Sequence, residues 1–333
     1  MQPLALFFLS EAPAVVYELP DFRCLSVKDI EGAWGRSMHK VYLRALRQRE
    51  TMAELMMERG EVPSSDVPAR SISDNPEVVG ATVREAIGLT ASDQSKWARN
   101  NTLPNDLVDS VEDLGVLVLR TSDVSLRTMR GFSLSDGEIP VVVVNALDSW
   151  KGQIFTLFHE FAHLMLREGG VCDLFGPDDR RSRRIERWCN KVAGAALMPR
   201  DSLLAAVDTY QAGEREWLKS ELQDLSGSYG VSWEAMLIRL VDLGRASQEF
   251  CDVTRQEYVQ WRLEQREQEK DLRSKDAGGP PWVTMTIRDQ GRAYVREVLN
   301  AYHSGTITLW SLIETLGIKP KHLPKLEERA LNL

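Results

Sequence analysis

Long apolar runs are missing from this chain. The stretch nearest the amino end, Leu4 to Leu9, has no lysine or arginine before it and is closed at once by Ser10 and Glu11, too short for the core of a secretion signal. Nowhere do apolar residues approach the roughly 18 that a bilayer-spanning helix needs, so a soluble, cytoplasmic protein without membrane contact is expected. Cysteine is also scarce. Cys24, Cys172, Cys189 and Cys251 are scattered without a CxxC pair through 333 residues, and a chain of that size builds a core without disulfides, so they read as reduced intracellular thiols. Positive charge is in deficit: 41 Lys and Arg against 49 Asp and Glu leave a net charge of −8. That balance opposes binding of the whole chain to phosphate backbones or anionic lipid, and direct nucleic-acid binding is not expected. Internal repeats are absent too.

What is present describes a folded protein. Apolar residues make up 43% and charged residues 27%, with nine tryptophans, which suits a globular fold of one large domain or two ordinary ones. Leu4 to Leu9 and Val15 to Leu19, cut by Pro13 and Pro20, read as strand pieces, and Ser26 to Gly60 as one or two helices. Together with a Pro- and Ser-rich loop they make an amino-terminal segment, 1–75. Helical stretches are expected over 76–99 and 105–114. Val116 to Leu119, Arg130 to Leu134 and Ile139 to Val144 read as three strands of a small antiparallel sheet, with Ser135-Asp136-Gly137 as a turn. Helical periodicity then returns over 152–166, 180–197, 201–223 and 231–244. The expected class is α+β, mainly helical, with its principal domain at 76–254. A charged linker follows at 255–281, broken by Gly278-Gly279-Pro280-Pro281, and a small tail of a strand and helices at 282–333, in which Thr308 caps a helix that Leu316-Gly317 ends.

The chemistry is concentrated in Phe155-Thr156-Leu157-Phe158-His159-Glu160-Phe161-Ala162-His163-Leu164. Histidines at i and i+4 share one helical face, and both imidazoles can reach one tetrahedral ion, zinc by preference with manganese as the other candidate. Glu160, beside them, is placed to act as general base on a water that the ion acidifies, and then to protonate the leaving amine. His-Glu-x-x-His arises by chance in roughly one chain of this length in a hundred, so context has to decide. It does: Thr156, His159, Glu160 and His163 fall in one sector of a helix that is otherwise apolar, and buried imidazoles and carboxylates left alone would cost several kcal/mol. A metal supplies their partner. Catalytic zinc usually takes a third protein ligand; Glu186, in the next helix, is preferred over Cys189, Glu168 and Asp173, its competing role being an exposed ion pair with Arg183 or Lys191. Asn190, one turn after Glu186, is positioned to hold the free N–H of a ligand histidine. The small run Ala193-Gly194-Ala195-Ala196 allows a neighbouring helix to come close.

These residues resemble the ImmA/IrrE family of bacterial and phage metallopeptidases. The likeness rests on the His159 block, on Glu186-x-x-Cys189-Asn190 with Ala195-Ala196-Leu197-Met198-Pro199, and on Tyr229-Gly230-Val231-Ser232 with Arg239-Leu240, in the family's order and spacing. It is specific over about 80–245 and weaker towards both ends; Cys189 and Val192 replace the family's small and aromatic residues. Longer members carry an amino-terminal helix-turn-helix domain, and none is visible before Pro3. The resemblance implies a gluzincin-like site with His159, His163 and Glu186 as ligands and Glu160 as base. It also makes Tyr229 a candidate oxyanion stabiliser, and it implies a protein substrate, a cognate helix-turn-helix repressor of stress or mobile-element genes. The competing class is a metal-binding regulator or antitoxin-like protein that acts by holding a partner without cutting it.

Overall fold

Four consecutive valines, Val141 to Val144, lie at the middle of the fold. In the computed structural model, which describes residues 33–97, 103–167, 180–209, 213–256 and 281–331, they form most of β3 (Val141–Asn145). It is flanked by β1 (Leu117–Thr121) and β2 (Gly131–Leu134) in the order β1-β3-β2. Strand β3 runs parallel to β1, from Leu117↔Val141 to Thr121↔Asn145, and antiparallel to β2, from Gly131↔Val144 to Leu134↔Val141. The sheet is therefore mixed, not antiparallel as the short strands and the turn at 135–137 suggest. The turn does close a β2–β3 hairpin, but β1 joins the far edge of β3 in the same direction. The unbroken valine run carries the reason: a strand with one wet face alternates, whereas a strand covered on both faces is apolar throughout. Val142 and Val144 enter one core, and Val141 and Val143 enter another.

Helices cover both faces. Before the sheet come α1 (Ala33–Glu58), α2 (Pro76–Ala86), α3 (Ala91–Trp97) and α4 (Asn105–Glu112). After it come α5 (Trp150–Leu166), α6 (Arg180–Leu197), α7 (Arg200–Val207), α8 (Lys219–Tyr229) and α9 (Trp233–Asp242). The last group is α10 (Trp282–Gln290), α11 (Arg292–His303), α12 (Leu309–Leu316) and α13 (Leu323–Leu331). Helices α2 to α9 pack on the Val142/Val144 face, while α1 and α10 to α13 supply the core on the Val141/Val143 face. The strand pieces expected before residue 20, most of the charged segment, and Cys24 and Cys172 lie outside the described residues. Cys189 and Cys251 are free and buried.

Local signals set the helix ends. Asn75 caps α2, its side chain accepting from Glu77 N, with Pro76 opening the helix; Ser149 caps α5 by accepting from Gly152 N, and Thr308 caps α12 before Gly317 ends it. The helical pattern over 201–223 is interrupted, leaving α7 and α8 as separate helices. Gly213 there has φ +96, and buried Trp217 turns inward to donate its indole N–H to the Arg245 carbonyl at 2.8 Å. The described part of 281–331 contains helices only, without the expected strand.

Helix α6 is gripped at its carboxyl end. Carbonyls that a helix terminus leaves without partners need donors from elsewhere, and here Arg84 Nη1 reaches Ala196 O at 2.8 Å, Gln94 Nε2 reaches Leu197 O at 2.6 Å and Arg239 Nε reaches Met198 O at 3.1 Å. Arg239 is itself held by a two-pronged bond to Glu77 at 2.6 and 2.7 Å. Helix α2 crosses the small run of α6 at Gly80, where a Cβ would lie 2.7 Å from both Ala195 Cβ and Ala196 N. Gly80→Ala should destabilise the protein by about 1–3 kcal/mol in denaturant unfolding, as overpacking does; an unchanged midpoint would disprove this crossing.

Glu112, at the end of α4, accepts from Ala293 N of α11 at 3.1 Å, and burial pushes its carboxyl from 4.5 up to about 8. The folded chain thus keeps a proton that the unfolded chain has released. The stabilisation this gives is complete below about pH 4.5 and is lost as pH rises through about 8. Melting temperatures of Glu112→Gln should therefore gain on the parent steadily across that range; a constant offset would contradict the shift.

Candidate metal centre

Helix α5 is buried almost all round because it lies between the sheet and α6. Its approach to β2 depends on Gly131: a Cβ there would run into Thr156 Cγ2, and would stand 2.9 Å from Val143 O and 3.3 Å from Glu160 Cγ. Glycine removes that obstacle, and Thr156 and Glu160 come down directly on the strand. Helix α6 packs alongside, so that Glu186, in its second turn, faces the histidines.

Three side chains converge there. His159 Nε2 and His163 Nε2 are 3.1 Å apart, Glu186 Oε2 is 3.2 Å from the former, and Glu186 Oε1 is 3.2 Å from the latter. Both histidines are buried, at 6% and 3% exposure, and the Glu186 side chain is 19% exposed. A tetrahedron whose ligands stand about 2.0–2.1 Å from its centre has edges of about 3.3 Å. The three sides of this triangle come close to that length, and its members are two ring nitrogens and a carboxylate, the donor types that zinc accepts. The group can hold a metal ion. Lys191, one of the cations considered for Glu186, has its Nζ 3.7 Å from Asp242.

Among the rival ligands, Glu168 and Asp173 lie outside the described residues. Cys189 is fully buried beside His163, and burial pushes its thiol up to about 11. Cys189 is not part of the group of three that can hold an ion, and it belongs to the core.

Glu160 adjoins the triangle. At 4% exposure it accepts a hydrogen bond on Oε2 from Ser133 Oγ, at 2.9 Å. Ser133 is not among the residues that sequence reasoning selects, yet it could have been: it stands two places after Gly131 on a strand, hence on the same face, and a serine within a buried strand needs a polar partner. A cleft of about 360 Å³ opens over His159 and Glu160, walled by Thr156, Arg127, Arg130 and Asn190. Its rim is fixed by Asn145, whose amide donates to Val124 O and Met129 O at 2.8 Å each, and by Arg130, which reaches Asp148 at 3.0 Å.

Two expected positions come out differently. The exposed side chain of Asn190 lines the cleft and makes no hydrogen bond to either imidazole, so it does not fix a ring tautomer here. Tyr229 lies away from the cleft altogether. It ends α8, which packs on α9 and α3, and its hydroxyl meets Ser202 Oγ at 2.9 Å while its ring joins the core. Tyr229 is not among the residues that line the cleft.

Residues 111–241 match the sequence model of the Peptidase_M78 family, described as the IrrE N-terminal-like domain. No curated protein matches the chain. Among solved structures, a Mycobacterium tuberculosis transcriptional regulator is 16% identical, with a TM-score of 0.31 over 50% of this chain and 52% of that one. The chain thus spans about half the length of that regulator.

The purified protein should bind one equivalent of a divalent ion through this triangle. Glu186→Ala should weaken binding by more than about a hundredfold, since even residues that only support a ligand account for ten- to a hundredfold. Full metal content in that variant at limiting zinc, by elemental analysis, would remove Glu186 from the ligand set.

Proposed function

With residues 111–241 constituting an IrrE N-terminal-like domain of the Peptidase_M78 family, we propose that the chain is a zinc-dependent endopeptidase that hydrolyses a peptide bond in a regulatory protein, its cognate helix-turn-helix repressor. The observation that carries the reading is the buried triangle of His159, His163 and Glu186 with Glu160 at its side. When bound, the ion polarises a substrate carbonyl and makes water more acidic.

The remaining work falls to the chain. Glu160 takes the proton of the attacking water on its carboxylate and passes it to the departing amine. Ser133 Oγ donates to Glu160 Oε2 at 2.9 Å, which holds the carboxylate in one orientation. Burial strengthens these interactions by keeping bulk solvent away.

An extended peptide suits the cleft. Strand β2 is an edge of the sheet, and Asn145 N donates to Arg130 O. In an antiparallel ladder that phase turns the main-chain groups of Gly131 and Ser133 away from β3, where a substrate strand can pair with them beside Glu160. Arg127 and Arg130 on the rim favour acidic side chains in such a substrate.

A helix-turn-helix repressor from the same genome is the substrate to incubate with it. The parent should cut it, and Glu160→Gln should retain its metal while losing at least about a hundredfold in rate. Equal cutting by the variant would discard Glu160 as the base; an intact repressor with the metal-loaded parent would discard the substrate.

A further inference from the structure

A second cavity, of about 360 Å³, lies at the opposite edge of the sheet from the metal centre, against β1. Its floor is Val118 and Arg120, alternate residues on one face of β1; α4 and the segment before it give Leu103 and Val108, and α10 gives Met285 and Ile287. The back is closed where Gly291, with φ +88, presses the α10–α11 corner onto the strand: a Cβ there would lie 2.9 Å from both Leu119 Cδ2 and Val118 O. Three further arginines reach the cavity, Arg288, Arg292 and Arg329.

The charges in this cavity do not balance. Arg292 is held by Asp109 at 2.9 and 3.0 Å, and Arg288 by Asp289 at 2.7 Å. Arg120 is 9% exposed, and among the described residues nothing accepts a hydrogen bond from its guanidinium. Burial and the nearby Arg288 pull it down to about 10, so it remains charged at neutral pH. Two acids, Glu112 and Asp289, are close enough to favour its charge, but Glu112 is engaged by Ala293 N at 3.1 Å and Arg296 at 3.8 Å, and Asp289 by Arg288. Arg329, exposed on α13, has no ion-pair partner among the described residues. A buried cation without an acceptor is unfavourable, and a guanidinium presents a fork shaped for a carboxylate.

We propose that this cavity binds a small organic monocarboxylate, with its carboxylate on Arg120 and Arg329 and its aliphatic or aromatic body against Leu103, Val108, Val118, Met285 and Ile287. The apolar wall selects against a bare inorganic anion, and the arginines select against a neutral molecule of the same shape. The volume falls in the range of small-ligand sites. The floor of the cavity belongs to the same sheet that carries Gly131 and Ser133 at its other edge, so the ligand would act at a distance from the metal and not in competition with peptide.

Octanoate is a suitable probe, with octan-1-ol and inorganic phosphate as controls, measured by thermal unfolding of the full chain. Octanoate should raise the melting temperature saturably, as a ligand of the folded state does, and neither control should. Arg120→Met removes the buried charge without emptying its space, so it should fold and lose the shift. Arg329→Ala, a surface change, should weaken octanoate by about tenfold, the worth of one charge-assisted pair. Absence of a saturable shift in the parent would overturn the proposal. So would a response unchanged in both variants, or phosphate acting as strongly as octanoate.

Discussion

Two imidazoles and a carboxylate on an otherwise apolar helix set the terms for everything around them. Such groups persist in a dry interior only where each has a partner, and the fold provides those partners from two directions. Helix α6 brings Glu186 to the Nε2 atoms of His159 and His163, and strand β2 brings Ser133 to Glu160. Both approaches depend on missing side chains. Gly131 lets α5 settle on the strand, and Gly80 lets α2 settle on the Ala195-Ala196 part of α6.

Rigidity at the centre is secured some way from it. Glu186 is near the start of α6, while Arg84, Gln94 and Arg239 take up the carbonyls at its other end. A helix fastened there cannot slide along α5 without giving up buried hydrogen bonds at a cost of about 1–3 kcal/mol each. Arg239 belongs to a stretch that the sequence comparison marks alongside the His159 motif. Its chemical contribution is to stop the helix that carries Glu186 from moving.

How much of this could be read beforehand depended on whether the signal was local. Helices α5 and α6, the Thr308 cap of α12, and the meeting of His159, His163 and Glu186 follow from periodicity, from cap preferences and from the preferences of a metal for its donors. The orientation of β1 did not, because nothing local tells a parallel neighbour from an antiparallel one; the valine run held the hint, since a strand that never alternates must be covered twice. Tyr229 was selected for the company it keeps in the sequence, and only packing could show its hydroxyl on Ser202. Asn190 has the right spacing on α6, but its side chain points into the cleft. Ser133 went unselected because one serine in a strand is ordinary until the helix above it is known to carry an acid.

The second face of the sheet has a consequence for biosynthesis. Leu117, Leu119, Val141 and Val143 are covered by α1 together with α10 to α13; α1 meets its distant partners through Gln48 to Gln290, and Arg59, just after it, reaches Glu297. A ribosome has therefore made the helices that carry His159, His163 and Glu186 well before most of the residues that shield this face exist. Until they emerge, α1 alone covers this valine-rich face, and the part left open is of the kind that chaperones hold and that promotes aggregation.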